Sequence, residues 1–144
     1  MMKYLSLCLT ILLMLPVTGS ARAGGEVLAP SESSRVAAVI NEYFTALAGG
    51  DVTTLESLLG GRLKTKRTPL LGNPDYASYL ATTYMDATID VLDISGTAPD
   101  TVSVDVHINF SSDETVHKLY TLKRDTSGTA AAPYLIINEA AVAD

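Results

Sequence analysis

Leu5 to Val17 form an apolar run with Lys3 ahead of it and the small-residue stretch Ala21-Arg22-Ala23 behind it. A positive start, an apolar middle and a small-residue end make the pattern of a cleaved export signal. Residues 1–23 are therefore expected to leave the chain before Gly24, directing the product to the periplasm or the outside of the cell. The run is too short for a membrane anchor, which needs about 20 residues to cross the hydrocarbon. Cys8 lies inside the run behind the large Leu7, not at its end, so a lipid-modified terminus is not expected.

The spacing then turns helical. After an arm at 24–30, apolar positions Val36, Val39, Ile40, Tyr43, Phe44 and Leu47 recur at three and four, which predicts one buried helix face from near Ser31. Gly49-Gly50 ends it. Asp51 then caps a short second helix that buries Val52, Leu55, Leu58 and Leu59, and Gly60-Gly61 stops that one. A third helix starts at Asn73-Pro74-Asp75, a cap, a first-turn proline and an acid at the positive helix end. Its stripe is Tyr76, Tyr79, Leu80 and Tyr84. Between the second and third helices, Arg62, Lys64, Lys66 and Arg67 read as a short exposed edge strand whose cations discourage pairing, or as an anion site at a cavity mouth.

From Thr88 the period changes to two. Thr88 to Ile94 is one strand, and Thr101 to Phe110 puts Val102, Val104, Val106, Ile108 and Phe110 on one face. Ser103, Asp105, His107 and Asn109 take the other. A turn at 112–114 returns the chain as Val116 to Arg124, and Tyr134 to Asn138 is the last strand. That turn pairs Val104 with Leu122, Val106 with Tyr120 and Asn109 with His117, leaving His107 as a diagonal neighbour of His117. Helices first and an antiparallel meander afterwards make an α+β layout, with three helices on one face of the sheet. Residues 31–144 are expected to be one domain.

Composition narrows the chemistry. Loss of the signal removes Cys8, so the remaining chain offers no disulfide and no thiolate. It also removes two of the ten basic residues and none of the sixteen acidic ones, leaving a formal charge of −8. Such a field disfavours nucleic acid and anionic membrane surfaces as partners. His107 and His117 are the two histidines, and with Asn109 they lack a third ligand for a metal. Asn109-Phe110-Ser111 matches a glycosylation sequon. No metal, cofactor or catalytic residue is assigned.

Val39-Ile40-Asn41-Glu42-Tyr43-Phe44-Thr45-Ala46-Leu47-Ala48-Gly49-Gly50-Asp51, followed by Leu55 and Leu58-Leu59, resembles the opening of nuclear transport factor 2-like (SnoaL-like) proteins. Tyr120 to Asp125 and Tyr134-Leu135-Ile136 are similar to their closing hairpin. The resemblance implies a curved antiparallel sheet wrapped by three helices into a cone, as in cystatin-like architectures, and often hollow at one end. It implies no single function, since members include isomerases, dehydratases, adaptors and oligomerisation domains. In its ketosteroid isomerase-like members a tyrosine at the place of Tyr43 binds an oxyanion, but the carboxylate base expected after the second helix is missing from residues 62–67. Asp90 is the nearest substitute by alternation.

The reading that follows is an exported, non-catalytic domain binding a small apolar or amphipathic ligand, or a protein partner. The expected cavity walls are Tyr43 and Tyr79 from the helices and Val104, Val106, Tyr120 and Tyr134 from the strands, tyrosines being apolar surfaces with polar tips. An enzyme with an unrecognised base and an oligomerisation module with a filled cone are the alternatives. A homodimer through the outer sheet face is expected from Leu119, Leu135 and Ile137, apolar residues on the side away from the helices.

Overall fold

The structure, a computed structural model, describes residues 26–128 and 132–143. The expected export signal and the start of the arm lie outside the described residues. Among the described residues, four helices precede four strands: α1 (Pro30–Gly49), α2 (Val52–Leu58), α3 (Gly61–Leu71), α4 (Pro74–Tyr84), β1 (Thr88–Ala98), β2 (Thr101–Asn109), β3 (Thr115–Arg124) and β4 (Tyr134–Ala141). The strands form one curved antiparallel meander in the order β1-β2-β3-β4. The fold is therefore α+β with the helices before the sheet, as expected, and with one helix more.

The core is the meeting of two predicted faces. Val36, Val39, Ile40, Tyr43, Phe44 and Leu47 of α1 are all buried, and so are Val102, Val104, Val106 and Ile108 of β2. Each such aliphatic side chain stabilises the fold by about 1.5–3 kcal/mol relative to exposure. Asp51 caps α2 by accepting from the Thr54 backbone N–H at 3.1 Å, and Asn73 caps α4 by accepting from Asp75 N–H at 3.0 Å. The arm is partly tied down: Glu26 and Gly96 exchange two backbone hydrogen bonds at 2.8 and 2.9 Å.

Three expectations are corrected. Residues 62–67 are not an edge strand but the first turns of α3. Leu63 is buried, Leu71 packs against the core and Arg67 lies between them, a spacing of four in which a guanidinium occupies an apolar place. The β2–β3 register is shifted by two. Val104 faces Tyr120, Val106 faces Lys118, His107 faces His117 and Asn109 faces Thr115. The cause is the turn, which closes one residue earlier than read. Phe110 N–H donates to Glu114 O at 2.8 Å, Asp113 N–H donates back to Phe110 O at 3.1 Å, and Asp113 takes a left-handed φ of 61°. A shift of two keeps every side chain on its face, so the inward valines and outward histidines stay where alternation put them. Third, β4 runs on to Ala141 and is irregular: Thr121 pairs with Asn138 but Leu122 with Ile136, leaving Ile137 as an extra residue.

Candidate functional site

That extra residue builds the most polar site inside the cone. Before it, Tyr134 and Ile136 point inward and are buried. A bulge inverts alternation beyond it, so Glu139 faces inward opposite Tyr120 instead of outward. The Glu139 side chain is only 13% exposed and receives donors from three elements. The Tyr43 hydroxyl of α1 donates to Oε2 at 3.3 Å, Arg67 Nη2 of α3 to Oε1 at 3.0 Å, and Lys118 Nζ of β3 to Oε1 at 2.9 Å. Arg67 also donates through Nη1 to the Tyr76 hydroxyl of α4 at 2.8 Å. One carboxylate thus ties together α1, α3, β3 and β4.

Burial first, and then the Glu139 charge, pushes the Tyr43 phenol well above its ordinary range. Tyr120 is raised in the same way, by burial and then by Tyr43. Burial is the largest single influence on Arg67 and works against its charge, but the Glu139 carboxylate together with the Tyr43 and Tyr76 phenols outweighs it and raises the guanidinium. The site is therefore a fixed arrangement of neutral phenols around an ion-paired carboxylate. Tyr43, Arg67 and Lys118 each donate to Glu139, so both carboxylate oxygens already meet a donor.

The expected cavity residues are brought together only in part, and as packed core. Tyr43 and Tyr120 meet, edge to face at 5.8 Å, and Phe44 packs on both. Val104 and Val106 are fully buried in the sheet's inner face. Tyr134 lies five residues along β4 from Glu139, where its hydroxyl meets Glu32 and Arg124. Tyr79 is not inward at all. It is 60% exposed and stacks on Tyr76, because the α4 stripe that turns toward the core is carried by Leu80 with Tyr76 and Tyr84 half-buried. The space left beside Tyr43, bounded by Leu47, Leu55, Leu59, Arg67, Leu71 and Tyr76, is about 10 Å³. A single water needs about 10–15 Å³.

Asp90 faces outward, exposed, and accepts from Asn109 Nδ2 at 2.8 Å. The outer sheet face also holds the histidines, edge to face at 4.8 Å, with His117 Nε2 against the Asp105 carboxylate. Among the described residues, no group of three His, Cys, Asp or Glu is placed to hold a metal ion. No helix among them is long and apolar enough to cross a membrane.

Glu139 and Lys118 are the site residues that sequence reasoning missed, and Arg67 is one that it put on an exposed strand or at a cavity mouth. The sequence before Glu139 carries little signal for its inward turn, since Tyr134-Leu135-Ile136-Ile137 is an unbroken apolar run. Arg67 left the spacing Leu63, Arg67, Leu71, visible only if a cation is admitted to a buried stripe.

Comparison with known proteins supports the fold and no more. No protein-family profile matches the chain, and no curated protein matches it. Among solved structures it is similar to a cystatin-like fold protein from Burkholderia xenovorans LB400, with a TM-score of 0.58 and 14% sequence identity. The likeness covers 84% of this chain and 99% of that one. The class defined is a cystatin-like cone, related to the nuclear transport factor 2-like architecture.

Proposed function

We propose that the chain is an exported, non-catalytic binding domain that engages a small amphipathic ligand or a protein partner at its surface. One observation carries this reading: the space beside Tyr43 is about 10 Å³, too small for a substrate. The oxyanion-type donor Tyr43 is aimed at Glu139, a group of the chain itself. The second reading, an isomerase-type enzyme, draws on that same pair, since Glu139 supplies beside Tyr43 the acid missing from residues 62–67.

The two readings separate by assay. The protein isolated from the exported fraction, beginning at Gly24, is expected to give no turnover of a β,γ-unsaturated ketone above buffer. Its native mass spectrum, taken without denaturation, is expected to show a retained small molecule or a second polypeptide. Turnover that disappears in both Tyr43→Phe and Glu139→Gln would overturn the non-catalytic reading.

A further inference from the structure

On the far side of β4 from the Glu139 site, the chain between α2 and α3 crosses the sheet edge very closely. Leu59 bridges to Ile136, and Gly60 N–H donates to Ile136 O at 3.0 Å. A Cβ on Gly60 would stand 3.0 Å from the Leu135 Cβ, and Gly61 has a left-handed φ of +54°. The two glycines therefore let bare backbone form one wall of a groove of about 700 Å³. Leu135 and Ile137 line it as half-buried apolar surface, and Arg62 and Lys123 line it with charge. Its volume falls within the usual range of small-molecule sites.

We propose that this groove binds a small amphipathic anion, a carboxylate carrying an aliphatic tail. The inference rests on the binding reading above and names its site and ligand class. Charge complementarity carries it. Arg62 and Lys123 are exposed and make no ion pair with another described residue, on a chain whose formal charge is −6. The other charges at the groove are already committed. Arg124 pairs with Glu32 and Asp100, and Asp125 accepts from both the backbone N–H and the hydroxyl of Ser127. The two uncommitted cations thus stand beside an apolar floor. An aliphatic tail would cover Leu135 and Ile137 while its carboxylate meets Arg62 and Lys123.

The test is a titration of the isotopically labelled exported chain with decanoate, and separately with decylamine, followed by amide chemical shifts. Decanoate should move the amides of Gly60, Gly61, Leu135 and Ile137 before any others, and decylamine should bind far more weakly. Arg62→Gln combined with Lys123→Gln should weaken decanoate roughly tenfold or more. The melting temperature should not change, because both side chains are exposed and unpaired among the described residues. Equal affinity for the two probes, or an undiminished affinity in the double variant, would overturn the proposal. A retained small molecule together with decanoate shifts elsewhere would remove the groove and leave the binding reading. No decanoate binding at about 1 mM, with neither a retained molecule nor a partner polypeptide, would remove both.

Discussion

Glu139 shows how much one side chain can decide. Its two oxygens are the common partner of Tyr43, Arg67 and Lys118, and two of those three carry positive charge. Glu139→Gln leaves both cations partly buried and facing each other without a counter-charge, so it should cost about 1–3 kcal/mol, read from chemical denaturation. Adding Arg67→Met should cost less than the sum of the single changes, because both act on one contact. The raised phenols make a separate prediction. A group whose folded pKa lies above its unfolded value contributes stability fully below that unfolded value, about 10 for tyrosine. The contribution is lost as pH rises above it, because the unfolded chain releases protons that the native chain holds. Tyr43 and Tyr120 should therefore resist ionisation until the fold opens. Phenolate absorbance followed beside circular dichroism tests this, and full ionisation with the fold intact would refute it.

At the scale of elements, α3 is held by few apolar side chains. Leu63 is its one buried residue, and Pro69 inside the helix cannot donate a backbone hydrogen bond. Its position depends on the close crossing at Gly60 and on Arg67 reaching Glu139 and Tyr76. Gly60→Val would push branched carbons into Leu135 and lift the start of α3 from β4. A loss of about 1–3 kcal/mol is expected, with hydrogen exchange rising at residues 61–71 ahead of the sheet. Uniform acceleration across all elements would count against this account. The Ile137 bulge is the other decisive element feature, since without it β4 would present Glu139 to the outside.

Among the described residues, the helices pack on one sheet face, and His107, His117 and Leu119 lie on the other. If a second copy covers that side, Leu119→Glu should turn a dimer into a folded monomer, because Leu119 sits mid-strand opposite Asp105 and Ala140. Light scattering at high micromolar concentration reads this directly, and a monomeric parent chain would end the dimer expectation.

Local periodicity was enough for much of the fold. The apolar stripe of α1, the caps Asp51 and Asn73, the alternating β2 and the order of helices before sheet are properties of single segments, and segments carry their own pattern. Tyr43 was legible as an interior tyrosine for the same reason. The tertiary structure alone decided the rest. The hairpin register turned on one position in a loop whose strands tolerate a shift of two without exposing a single valine. The inward turn of Glu139 required a bulge, which has almost no signature in the unbroken apolar run before it. Arg67 completes a helical stripe only because a carboxylate 72 residues away neutralises it. A buried charge has no meaning within its own segment. Its partner comes from another part of the chain, and only folding brings the two within reach.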